Sequence, residues 1–249
     1  MLDAFFKSVG LPLMGPYLWL VLSSTIGCQL LYLGSRGFFT RYSVTYQKLS
    51  PVKKIDFAIH IVSLVHALFC VIAIVPMFHD PELAKDRLFA WTPYSSSVLS
   101  VVCGYFWWDV FMTFRYFRNF GIGFALHAIG CVFVFTSCFR PFLHYFAAST
   151  LLFELSTPFL NIHYFCDKLG YTGSRLQLVN GILLLVTFFA ARLVNGPILT
   201  YSFVRECWLR RDESSLLAAS LFIFPNLALT SLNFFWFSKM IRSVRARFK

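Results

Sequence analysis

Apolar residues along the chain come in long blocks rather than in alternation. Runs at about 17–34, 55–77, 96–114, 120–138, 142–164, 178–203 and 215–238 are each long enough to cross the ~30 Å hydrocarbon layer of a bilayer, which takes about 20 helical residues. No sizeable polar block separates them. Gly and Pro fall in the gaps: "LSPVKK" precedes the second run, "RPF" parts the fourth from the fifth, and "LGYTGS" parts the fifth from the sixth. The pattern predicts an all-α fold, a polytopic transmembrane helical bundle of about seven spans. The first run lies in an N-terminal segment at 1–44, and the chain ends in a basic tail at 246–249. The longest outward connection, "HDPELAKDRLFAWTPYSSS", is expected to cap a cavity rather than form a binding domain.

Composition removes the soluble alternatives. Hydrophobic residues make up 58% of the chain and charged ones 13%, about half the charge of an ordinary soluble domain. The N-terminus has an acidic residue before its only lysine and no small-residue cleavage site, so the first helix is expected to act as an uncleaved anchor. Lys and Arg fall about twice as often in one set of alternate connections, the set holding Arg36, Lys53, Arg115 and Arg175, as in the other. This puts the C-terminus in the cytosol and the N-terminus outside or in a lumen. The net charge of +11 is spread over these short connections, so the expected partners are membrane lipids and not nucleic acid. The seven Cys include no CxxC pair and signal neither a disulfide framework nor a metal site. Cys166 and Cys207, at the membrane edge, are candidates for palmitoylation.

Ionisable side chains within the apolar runs carry the chemistry. At mid-depth each costs about 2.5–3.5 kcal/mol on insertion scales, so such residues face the bundle interior and mark a function or a buried pair. Asp109, Glu154 and Arg192 are of this kind, and His60, His66 and His127 also interrupt apolar runs. Helical spacing lines up Tyr105, Asp109, Met112 and Tyr116 in the third run and Thr150, Glu154, Thr157 and Asn161 in the fifth. Pro158 removes a backbone donor and is expected to open that second seam. His60, Ser63 and His66 give the second run a polar sector. His127 lies between Gly123 and Gly130, which admit a neighbouring helix or a lipid chain. Arg192 and Asn195 share a face just before an expected break at "NGP".

These groups could simply satisfy one another, with Arg192 neutralising Glu154 or Asp109. Polar seams on five adjacent spans point instead to a shared space, with six helices surrounding a polar-seamed lipid cavity. An acyl tail would lie in its apolar part and a headgroup against His66, Tyr105, Glu154, Asn161 and Arg192. His127 is the candidate general base, since an imidazole with an ordinary pKa of about 6.5 can take a proton from an attacking amine or hydroxyl near neutral pH. A carboxylate such as Asp109 would orient it.

The segments "YQKLSPVKKIDFAIHIVSLVHA", "GYFWWDVFMTF", "FALHAIG", "ELSTPFLNIHYF" and "NGILLLVTFFAARL" together resemble the TLC-domain family of multispanning membrane proteins, over about residues 45–245. The likeness is to its small stand-alone members. In the ceramide synthases of that family, the resemblance implies acyl-CoA-dependent N-acylation of a sphingoid base, with two adjacent histidines in the motif. Here the pair reads His127-Ala128. One histidine is kept and one is missing, which argues against ceramide synthesis itself.

Three functions are therefore expected to compete. The first is lipid binding within the bundle in membrane lipid homeostasis, with no cofactor. The second is acyl-CoA-dependent acyl transfer using His127, with acyl-CoA as co-substrate. The third is a secretory-pathway cargo receptor. The resemblance and the basic tail favour the endoplasmic reticulum over the plasma membrane.

Overall fold

The computed structural model describes residues 2–213 and 216–247; Phe248 and Lys249 of the expected tail lie outside the described residues. Seven helical segments carry the chain back and forth. They are α1 (Met14–Tyr42), α2 (Pro51–Phe78), α3 (Pro93–Arg115), α4 (Ile122–Ser137), a broken α5, a broken α6, and α7 (Leu216–Arg247). α5 consists of an α-helix His144–Leu151, a 3-10 stretch Leu152–Ser156 and an α-helix Thr157–Lys168. α6 consists of an α-helix Arg175–Phe188, a π turn Phe189–Val194 and an α-helix Asn195–Leu209. Among the described residues, α1, α2, α3 and the whole of α6 are long and apolar enough to cross a membrane, whereas α4 is apolar but shorter.

Local chemistry sets the helix starts. Ser50 caps α2 and Ser174 caps α6, each accepting from a backbone N–H three residues on. α3 opens with a reciprocal capping box between Thr92 and Ser95, with Pro93 at the first helical position where its missing N–H is no loss. α4 starts after Gly121 at φ +79, a left-handed turn that a side chain would strain.

Six segments close a ring in the order α2, α3, α4, α7, α6, α5, and α1 packs outside it against α3 and α2. This is the arrangement of six helices around a centre that the polar seams predict. The first piece of α5 reaches into the ring at its outer end, burying Phe146, Ala147 and Leu151 against α2, α3 and the last part of α6. Just before it, Leu143 is held at φ +74, and its N–H donates to the Leu88 carbonyl at 2.9 Å. A branched residue in that conformation persists where its surroundings over-determine it, and Leu143 is fully buried.

α1 docks on α3 through backbone approach. A Cβ on Gly104 would fall on the Val21 carbonyl oxygen and 2.6 Å from Ser24 Cβ. The closeness lets Ser24 donate to the Val101 carbonyl at 2.7 Å, Thr25 to the Gly104 carbonyl at 2.8 Å, and Trp108 Nε1 to Gln29 at 2.9 Å. Such small-residue contacts substitute for a hydrophobic driving force that lipid does not supply.

The connection between α2 and α3 packs onto the core, and none of its residues lines the central pocket that it was expected to cap. Leu83 and Leu88 plug into the core, and Asp86 accepts from the N–H groups of Leu88 and Phe89. Arg210, beyond α6, donates to Asp86 at 2.5 Å and to Glu213 at 2.6 Å and lies over the Phe89 ring. Partial burial raises the Asp86 pKa, but the Arg210 hydrogen bond and the two N–H groups outweigh it and hold the carboxyl below its usual range.

Two outcomes follow. Gly104→Ala is expected to lower stability by about 1–3 kcal/mol through overpacking, read as a drop in thermal unfolding temperature in detergent. Because the folded pKa of Asp86 is depressed, its contribution is present above the ordinary carboxylate range and lost as pH falls through the depressed value. Asp86→Asn should therefore cost about 0.5 kcal/mol at neutral pH, small because the pair is partly exposed, and nothing once the pH has fallen below the depressed value. An unchanged gap between the two melting curves in acid would refute that assignment.

Candidate functional site

Two departures from regular helix face each other inside the ring, the 3-10 stretch of α5 and the π turn of α6. Both follow from proline. Pro158 cannot donate to the carbonyl of Glu154, and Pro197 cannot donate to that of Leu193, so each helix rearranges in the turn before. The irregularity expected at "NGP" lies one turn earlier, in the π turn, and Asn195, Gly196 and Pro197 open the regular helix that follows; at Pro158 the expected opening takes the form of the 3-10 stretch before it.

The π turn directs Arg192 inward, where 8% of its surface stays exposed. Its Nε donates to Ser156 Oγ at 3.1 Å, one terminal nitrogen to Thr157 Oγ1 at 3.3 Å and the other to Asn233 Oδ1 at 3.2 Å. The guanidinium carbon lies 5.1 Å from the Phe188 ring centre and 5.8 Å from that of Phe153. Neutral oxygens and ring faces thus satisfy the cation. Among the described residues no ion pair joins it to Glu154 or Asp109, contrary to the neutralisation that charge alone suggests.

Arg192, Glu154 and His127 line one pocket at the centre of the ring. Thr150 and Asn233 complete its polar part, and Phe106, Phe135, Phe153 and Leu229 supply apolar wall. The cavity between these side chains is about 20 Å³, room for a water molecule or so. His127 Nε2 lies 3.7 Å from Cys131 Sγ, and its ring meets Trp236 edge to face at 5.5 Å.

The remaining candidates sit in adjoining layers. Tyr105 stacks flat on His66 at 3.6 Å between α2 and α3, and His66 Nε2 reaches Cys70 Sγ at 3.3 Å. Asp109, one turn beyond Tyr105, is an electrostatic neighbour of Glu154 but lines no part of the pocket. It forms no hydrogen bond with His127, so the expected orienting pair is not made in this structure. Asn161 lies between α5 and α2, taking a hydrogen bond from His60 Nδ1 at 2.6 Å and donating to Ser63 Oγ at 3.2 Å. The stripe of Thr150, Glu154, Thr157 and Asn161 is therefore split. The 3-10 turn sends the first two to the pocket, Thr157 to Arg192 and Asn161 to α2. Cys166 and Cys207 are buried, which removes the exposed thiols that their juxtamembrane positions suggested.

Sequence reasoning found the run that forms α7 but missed its polar side chains. Asn233 binds Arg192, and Asn226 accepts from Thr200 at 2.5 Å. The signal was available: Asn226, Thr230 and Asn233 recur at helical spacing in an otherwise apolar run.

A family model described as the TLC domain matches residues 56–242. An uncharacterised TLC domain-containing protein of Schizosaccharomyces pombe is 34% identical over 98% of this chain and 84% of its own length. Topoisomerase I damage affected protein 4 of Saccharomyces cerevisiae is 36% identical over 77% of this chain and 70% of its own. Human TLC domain-containing protein 4 is 29% identical over 67% and 65%. No solved structure matches.

Replacing Arg192 with Met should strand Ser156, Thr157 and Asn233 and lower stability by about 1.5–3 kcal/mol. Arg192→Lys should recover little of that loss, because an ammonium cannot fork toward three acceptors on two segments. Thermal unfolding of both variants tests this; full recovery by Lys would show that charge alone matters.

Proposed function

The chain belongs to the TLC-domain family, and we propose that it binds one lipid amphiphile in the central pocket and serves membrane lipid homeostasis. The observation that carries this reading is the composition of the pocket wall, where a cation, a carboxylate and an imidazole meet an aromatic and aliphatic surface at membrane depth. A headgroup would face Glu154, Arg192 and His127, and the tail would lie along Phe106, Phe135, Phe153 and Leu229. His66, Tyr105 and Asn161 would support the pocket from the layers behind it, with Asp109 alongside.

Entry of a chain requires the ring to part, and the α4–α7 seam is built for that. Gly123 and Gly130 of α4 face Leu232 and Leu229 of α7 with no side chain of their own, leaving a smooth surface for one helix to slide on the other. The proposed compartment is the endoplasmic reticulum membrane, in line with the short α4 and the basic C-terminal end.

A second reading, acyl transfer with His127 as base and acyl-CoA as donor, is favoured by one observation. The imidazole lines the pocket while its ring nitrogens make no hydrogen bond to backbone or carboxylate among the described residues, which leaves it available to a reacting proton.

Lipid mass spectrometry separates these. Purified chain should carry one class of co-extracted lipid, and Gly130→Val, which thickens the seam, should cut its recovery by roughly tenfold, the equivalent of about 1.4 kcal/mol. Cells lacking the protein should regain their lipid profile with wild type. Restoration by His127→Ala as well supports binding alone, and its failure supports acyl transfer. Purified protein free of lipid would rule out the binding function.

A further inference from the structure

Two helices carry a histidine four residues before a cysteine, "HALFC" in α2 and "HAIGC" in α4. Both pairs lie within reach of a sulfur hydrogen bond, His66 Nε2 at 3.3 Å from Cys70 Sγ and His127 Nε2 at 3.7 Å from Cys131 Sγ. Their surroundings differ. His66 is pinned against Tyr105, and Cys70 is fully buried away from the central pocket. Cys131 and His127 both line that pocket, with Glu154 and Arg192 in the same wall. A thiol with a base beside it on the wall of a pocket is a nucleophile arrangement, because the thiolate is the reactive form and the imidazole can accept its proton.

We propose that Cys131 is an acyl-accepting nucleophile, forming a thioester with the acyl group of an acyl thioester donor. His127 Nε2 takes the proton from Cys131 Sγ as sulfur attacks the donor's carbonyl carbon. A new carbon–sulfur bond forms and the donor's carbon–sulfur bond breaks. The leaving thiolate takes the proton from His127 and departs as a free thiol. One thioester replaces another, so no oxidant or energy source is needed. Asn233 and Arg192 present donors in the same wall, where charge gathers on the carbonyl oxygen. His127 lies five residues into α4 and Cys131 nine, about 7.5 and 13.5 Å along the helix from the end that the charge distribution assigns to the cytosol. Arg115 and Arg118 stand just before that end and suit an anionic donor such as a coenzyme A thioester.

The inference rests on the lipid-binding function, since the acyl chain must enter the same pocket, and the test reads the two separately. Purified full-length protein in nanodiscs is incubated with alkyne-tagged palmitoyl-CoA. Hydroxylamine-labile label is mapped by peptide mass spectrometry, and non-covalent lipid is quantified in the same sample. Label should accumulate at Cys131 and not at Cys70, and His127→Gln should slow it by about a hundredfold. Cys131→Ser and Cys131→Ala should abolish it at that position while keeping the wild-type unfolding temperature. An unlabelled Cys131 in protein that still carries lipid overturns the nucleophile and leaves the binding function standing. Absence of both label and lipid overturns both. Labelling equally fast in His127→Gln, or equal at Cys70, means indiscriminate thiol acylation and overturns the proposal.

Discussion

A guanidinium inside a membrane protein must be surrounded, and the solution found for Arg192 organises the rest. Its three donor nitrogens reach Ser156 and Thr157 of α5 and Asn233 of α7, while its own backbone belongs to α6. Three neighbouring members of the ring are thereby tied at one depth. Fixing the cation there requires the π turn, and presenting Ser156 and Thr157 to it requires the 3-10 turn. Both distortions trace to prolines, which explains why the polar centre lies where two helices are irregular.

The carboxylate beside it is treated differently. Glu154 stands near the guanidinium without an ion pair among the described residues, and three of the guanidinium's five N–H groups go instead to neutral oxygens. In a pocket that seats little more than a water, the imidazole of His127 makes no hydrogen bond to backbone or carboxylate among the described residues.

Long apolar blocks made the seven segments and their order legible in the sequence, since block length is a direct demand of the bilayer. Glu154, Arg192 and His127 could also be singled out, because an ionisable residue in hydrocarbon is conspicuous. Their meeting in one pocket could not be read, nor could the separation of Asp109 and Asn161 from it. Helical projection assumes a constant rotation per residue, and the 3-10 and π turns change that rotation within the two segments that matter. Asn233 was passed over for another reason: a neutral amide in an apolar run attracts less notice than a charge, although it accepts from the one guanidinium at the centre.

The brevity of α4 bears on the surrounding lipid. Its 16 residues give about 24 Å of helix, ended on one side by the left-handed turn at Gly121 and on the other by the bend leading to Leu143. Phe124, Leu126, Ile129 and Phe133 on its exposed side face the hydrocarbon. A layer of about 30 Å exceeds that length, and thinning of the bilayer, snorkelling flanks or association each absorb such a difference at a cost of fractions of a kcal/mol for each ångström of mismatch. Thinning would lie along the wall that holds His127, beside the seam between α4 and α7. Acyl-chain length in the bilayer would then act as a mechanical load on the pocket, felt without any lipid having to bind.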